Sequence, residues 1–126
     1  MHPRLLDHFE HPRNAGEVAG ANVVVEMSNP VCGDILKLWL RTEGERIAQA
    51  GFKCRGCVAS MACGSALTEL ITGLALQDAH RIGPREVEDA VGELETASKH
   101  AAVLAADALA EALKKAPQRH RGTEEV

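Results

Sequence analysis

Four cysteines, one aspartate and one histidine carry the chemistry legible in this chain of 126 residues. Cys32 stands alone, whereas Cys54, Cys57 and Cys63 fall within ten residues of one another. In Asn29-Pro30-Val31-Cys32-Gly33-Asp34, proline and glycine bracket a cysteine in a turn, with a carboxylate two residues on. A thiolate and a carboxylate can then reach one cation from one loop. Cys54-Arg55-Gly56-Cys57 places two sulfurs three residues apart, and Gly56 lets the chain bend so that both could face one ion, as in zinc knuckles. Arg55 and a helix N-terminus beside Cys57 favour the thiolate, the form that binds metal or attacks sulfur. His100 precedes an alanine-rich stretch, where an imidazole could converge on the loops. Cys63 recurs with Ala59, Ala62 and Leu67 at helical spacing and reads as core, since free cysteine is among the most buried residue types. His8, His11, His80 and His120 sit beside charges or at element ends and read as solvated side chains, and His2 as disordered.

The elements that must position these groups follow from periodicity. Pro3 to Glu10 reads as a short amphipathic helix, ended by the Pro- and Gly-punctuated turn from His11 to Gly16. Asn22 to Met27 reads as a strand by its β-branched residues, Ile35 to Arg41 by alternation and Ile47 to Cys54 by weaker alternation, and Glu43-Gly44-Glu45 makes a hairpin of the last two. From Val58 the period becomes helical until Gly73 stops it, so a helix begins just after Cys57. Leu76 to Ile82 and Pro84 to Val91 are two short helices, and Ser98 to Lys115 a long one. Strands first and helices afterwards predict an α+β domain, a three-stranded antiparallel sheet with helices packed on one face. Residues 1–116 read as one domain and 117–126 as a flexible charged tail.

Composition narrows the class of function. Apolar residues make up 45% of the chain but aromatics only 2%, so the core must be aliphatic. With no Tyr, one Trp (Trp39) and a net charge of -4, the chain lacks the stacking platforms and cationic face of a nucleic-acid binder. No apolar run resembles a signal peptide or a membrane span, which predicts a cytoplasmic protein with reduced thiols and no membrane partner.

The combination of motifs resembles the U-type iron-sulfur cluster scaffold family, which includes IscU, SufU and the N-terminal domain of NifU. Asp7-His8-Phe9-x-x-Pro12-Arg13-Asn14-x-Gly16 is similar to the family's N-terminal signature, Cys32-Gly33-Asp34 to its first ligand loop, and Phe52-Lys53-x-x-Gly56-Cys57 to the strand end bearing its second ligand cysteine. Ser65-x-x-Thr68-Glu69, Gly73-x-x-Leu76-x-x-Ala79 and Leu104-Ala105-x-Asp107-Ala108 match later landmarks, so the resemblance spans about Pro3 to Lys115. It implies a site at one end of the molecule where a cysteine desulfurase delivers sulfur, iron is added, and a [2Fe-2S] cluster is built and passed to acceptor apo-proteins. Such a protein is a carrier rather than an enzyme.

The chain departs from that pattern in one important place. The family's third ligand cysteine follows a histidine at the start of the last long helix, and here the sequence reads His100-Ala101. The L-P-P-V-K segment of the IscU branch is also absent, Leu94 to Ser98 standing in its place, which argues against a dedicated Hsp70-type chaperone partner. Two ligand sets follow. In one, Cys54 supplies the third thiolate beside Cys32 and Cys57, with Asp34 or His100 fourth. In the other, Cys32, Asp34, Cys57 and His100 form a mixed set suited to tetrahedral zinc and to a labile cluster, with Cys54 auxiliary. The second is favoured, and in it a hard carboxylate among soft ligands leaves one iron corner easier to exchange, as transfer requires. The competing functions are a structural zinc-binding interaction module on the same fold and, behind it, a thiol-disulfide enzyme using Cys54 and Cys57, whose usual β-α-β context is missing here.

Overall fold

The computed structural model of the chain describes residues 2–30 and 33–117. In chain order the elements are α1 (Pro3–Glu10), β1 (Val23–Ser28), β2 (Ile35–Glu43), β3 (Arg46–Arg55), α2 (Val58–Ile71), α3 (Leu76–Ala79), α4 (Pro84–Ala90), a 3-10 turn (Thr96–Ser98) and α5 (Lys99–Lys115). Cys32, and the charged tail beyond Pro117, lie outside the described residues.

The three strands form one antiparallel sheet in the order β1-β2-β3. Alternation decides which face is buried. Leu36, Leu38 and Leu40 point inward and pair with Cys54, Phe52 and Ala50 on β3, while Val23 and Val25 of β1 pair with Leu40 and Leu38. The β2–β3 hairpin turns at Gly44, whose φ of 63° is the left-handed conformation that glycine adopts without penalty. On the opposite face Trp39 is only 7% exposed. The ammonium groups of Lys37 and Lys53 lie 5.2 and 5.9 Å from its ring centre, so their stems cover the indole that could have served as a stacking platform.

The helices cover the inner face, as the order of elements predicts. Most of the 14 residues of α2 are buried, and small side chains let it lie close to the sheet. At Gly64 a Cβ would come within 2.6 Å of the Phe52 ring. Cys63 is 0% exposed in this core, and burial pushes its thiol up to about 12. Helix α5 presents Ala101, Ala102, Leu104, Ala105, Ala108, Leu109 and Ala112 to the core, an alanine-rich stripe that packs on α2, α4 and the sheet.

Several expectations are corrected. Helix α3 stops at Ala79 rather than Ile82, because the chain must extend at Gly83 to cap the next helix, where the Glu86 side chain accepts the Gly83 N–H at 2.8 Å. The last helix starts at Lys99, after a tighter turn. His2 is not disordered: it caps α1, its Nδ1 accepting from the Arg4 N–H at 3.1 Å, and its ring fills the space a side chain on Gly92 would need. His8 is not solvated either. It is 5% exposed, on the face of α1 that meets α2, with Nδ1 2.7 Å from the Ser65 hydroxyl.

Candidate metal centre

Three elements meet at one corner of the molecule. The β1–β2 loop is closed at its base by the Asn29 N–H donating to the Asp34 carbonyl at 2.8 Å and the Gly33 N–H donating to the Asn29 carbonyl at 2.7 Å. This leads Asp34, 4% exposed, into β2 with its carboxylate turned inward. Cys57 follows β3 and is the N-cap of α2, its sulfur accepting from the Ser60 N–H at 3.4 Å. His100 stands in the first turn of α5 with its side chain 30% exposed. Gly56, where the chain bends between β3 and α2 as expected, also makes room for the Asp34 carboxylate, into which a Cβ there would run.

The donor atoms form a small triangle. Asp34 Oδ2 lies 3.4 Å from Cys57 Sγ and 3.5 Å from His100 Nε2, and the sulfur and imidazole nitrogen are 4.0 Å apart. Ordinary zinc–sulfur, zinc–nitrogen and zinc–oxygen lengths at a tetrahedral angle separate such ligands by about 3.3–3.7 Å. The triangle is therefore sized for one ion, with a few tenths of an ångström of closure on the sulfur–nitrogen side. Among the described residues, these three are the His, Cys, Asp and Glu groups whose ligand atoms all lie within 4.8 Å of one another.

Electrostatics favours an ionised carboxylate here. Burial alone would raise the pKa of Asp34. Hydrogen bonds from the Ser60 hydroxyl, the Cys57 thiol and the Cys57 N–H, together with His100, outweigh burial and hold it below the usual carboxylate range. Cys54 is in the opposite situation. Half-buried at the end of β3 and packed against the core, its thiol is pushed up to about 12, first by burial and then by the neighbouring Asp34 carboxylate and Cys57. It lies outside the triangle, and metal binding there would first have to remove a tightly held proton.

Of the five residues singled out from sequence, the structure thus brings Asp34, Cys57 and His100 together and leaves Cys54 beside them, while Cys32 lies outside the described residues. Ser60 was missed. Its hydroxyl donates to Asp34 Oδ2 at 2.5 Å. The available signal was a small polar residue three positions after a cysteine at a helix start, where side chains and amides meet the cap. Cys57 is exposed and opens onto a cleft of about 670 Å³ that includes His2, Leu5, Val58, Leu94 and Ser98.

The N-terminal signature residues lie elsewhere, in a clamp. Ser65 Oγ accepts the Arg13 N–H at 2.8 Å while bonded to His8. The Arg13 guanidinium reaches Asp7 at 2.6 Å and Glu69 at 3.8 Å. Asn14, at φ 59°, donates to Thr68 Oγ1 and accepts the Phe52 N–H. The motif therefore ties α1 to α2 and β3.

Comparisons with known proteins show the family and the fold. Residues 1–123 match the family model described as the NifU-like N terminal domain. Iron-sulfur cluster assembly scaffold protein IscU 1 of Archaeoglobus fulgidus is 36% identical over 110 residues, which covers 87% of this chain and 72% of that protein. The zinc-dependent sulfurtransferase SufU of Bacillus subtilis is 39% identical over 75 residues, 60% of this chain and 50% of that protein. In fold, the solved structure of a SUF-system protein from Fervidobacterium islandicum AW-1 superposes with a TM-score of 0.77 over 90% of this chain and 96% of that one, at 19% identity.

Proposed function

The chain belongs to the family of NifU-like N-terminal domains, and from that premise we propose that it is an iron-sulfur cluster assembly scaffold, its cargo taken at the corner formed by Asp34, Cys57 and His100. The observation that carries this reading is the convergence of a carboxylate, a thiol and an imidazole from three different elements within 4.8 Å, open to solvent at Cys57. Cys32 completes the proposed set, and Cys54 stands by as an auxiliary. The cargo is a [2Fe-2S] cluster or its component iron; histidine can replace a thiolate on iron, so the position of Ala101 need not hold a cysteine. Sulfur comes from a cysteine desulfurase and the finished cluster passes to acceptor apo-proteins. Both partners are supported by the names of the relatives rather than by a surface on this molecule. No helix among the described residues is long and apolar enough to cross a membrane.

A second reading has its own support: the triangle is sized for a single tetrahedral ion, so a zinc-bearing form in which exposed Cys57 handles sulfur is open to the same site. Anaerobic reconstitution with iron and sulfide, followed by absorption spectra and metal analysis, separates the two. A scaffold yields a protein-bound chromophore with two irons and two sulfides. Cys57→Ser and His100→Ala lose it, and Cys54→Ser retains it. One tightly held zinc that iron and sulfide do not displace favours the second reading. Loss of the chromophore in Cys54→Ser but not in His100→Ala moves the third ligand to Cys54.

A further inference from the structure

Ser60 touches two of the three corner groups at once. Its hydroxyl donates to Asp34 Oδ2 at 2.5 Å, and its backbone N–H donates to Cys57 Sγ at 3.4 Å. The residue is 2% exposed and lies in the first turn of α2, three residues after the cap, so the helix itself fixes where both donors point. We infer that Ser60 is a positioning residue that holds Asp34 Oδ2 and Cys57 Sγ at ligand spacing for the incoming ion. The inference rests on the reading that Asp34, Cys57 and His100 bind metal.

A carboxylate offers two oxygens and turns about the bond that carries it, so burial alone does not decide which oxygen faces the sulfur and the imidazole. Oδ2 is the oxygen that lies 3.4 Å from Cys57 and 3.5 Å from His100, and it is the one that Ser60 holds. On the other side, the carboxylate lies against the Gly56 backbone, where a Cβ would run into Oδ1, and it also takes a hydrogen bond from the Cys57 N–H. Of the groups around Oδ2, the Ser60 hydroxyl makes the shortest contact, and it is not itself a metal ligand. Because the same residue's amide also reaches the sulfur, the carboxylate and the thiol are referred to one rigid turn of helix. Partners of this kind, which bind the ligands rather than the metal, commonly govern affinity as strongly as some ligands do.

The test uses the full chain with zinc alone and with cobalt as a coloured substitute. Ser60→Ala is expected to weaken zinc binding about ten- to a hundredfold, measured by competition with a chelator. It is also expected to shift the ligand-field absorption of the cobalt form. Ser60→Thr, which keeps the hydroxyl, restores both. In an Asp34→Ala background Ser60→Ala adds a much smaller loss, because only the 3.4 Å contact of the hydroxyl with Cys57 Sγ is left to remove. Unchanged zinc affinity in Ser60→Ala overturns the inference, as does an equal loss with and without Asp34. If Ser60→Ala also lowers the melting temperature of the metal-free protein, the Asp34→Ala background still decides, since the packing loss is common to both arms. Asp34→Ala that binds zinc as tightly as the parent sinks the underlying metal reading instead, whatever Ser60 does.

Discussion

The metal corner and the N-terminal clamp are built from the same materials and come to opposite ends. Each buries a hydroxyl on α2 and brings in a histidine and charged or polar groups from distant segments. In the clamp every polar group finds a protein partner. Ser65 serves both His8 and the Arg13 amide, Thr68 serves Asn14 and the Arg13 carbonyl, and Arg13 is neutralised by Asp7 and Glu69. At the corner, Ser60 takes one side of the Asp34 carboxylate, yet the oxygen, the sulfur and the imidazole nitrogen still face one another at ligand spacing on the solvent side. A saturated polar network fixes a fold, whereas a network with donor capacity directed at a common point can take a ligand. The N-terminal signature segment lies in the saturated network, which ties α1 to α2 and β3.

The widest separation between the two regions should appear on metal removal. An ion at the corner ties the β1–β2 loop, α2 and α5 together, so binding to the folded state alone adds to stability, by about 2.7 kcal/mol when free zinc is a hundred times its Kd. Chelation of the zinc-loaded protein should lower the melting temperature accordingly, and Cys57→Ser should melt like the chelated parent with or without zinc. A melting curve that does not move after verified metal removal would break the comparison, since the corner would then bind nothing that links its three elements.

The clamp predicts the reverse pattern. Ser65→Ala leaves the buried His8 ring and the Arg13 amide each short of a partner, which costs about 1–3 kcal/mol for each unsatisfied group. Its unfolding free energy from a urea titration should fall by that measure while zinc stoichiometry stays at the parental value. Loss of zinc in Ser65→Ala would mean that α1 and the corner form one cooperative unit, and the two regions could no longer be treated as separate.

The sheet and most helices were legible because their signals are local. Strand alternation in β2, the change of period at Val58 and the proline that opens α4 each follow from steric and hydrophobic rules that act over a few residues. The corner was legible only in part. Cysteine, aspartate and histidine announce a ligand chemistry by type, but whether Cys54 or His100 stands with Cys57 depends on how α5 packs, which no local pattern encodes. Ser60 went unseen for the same reason: a serine in the first turn of a helix is common, and its meaning comes from a carboxylate 26 positions earlier in the chain. His8 was misread because a histidine beside an aspartate in a short helix looks solvated until its partner Ser65, 57 positions away, is known.

The smallest effect concerns pH and tests whether the clamp is saturated in the state described. Burial, followed by the neighbouring Arg13 cation, lowers the pKa of His8 in the folded protein from its ordinary value of 6.5, and Glu69 and Asp7 offset this only in part. A histidine whose folded pKa is depressed must give up its proton to fold, so its contribution is fully present above the unfolded pKa. It is lost as the pH falls below 6.5 toward the folded value, where the unfolded chain binds a proton that the folded chain refuses. The metal-free protein should therefore melt at lower temperature at pH 5.5 than at pH 7.5. His8→Gln, which keeps a polar group near Ser65 but cannot titrate, should show a shallower dependence between the same two values. Metal-free protein is the right form for this measurement, since metal binding carries a pH dependence of its own. If the parent and His8→Gln lose stability in parallel as the pH falls, the ring is not held neutral against α2, and the contrast between a closed clamp and an open corner loses its first half.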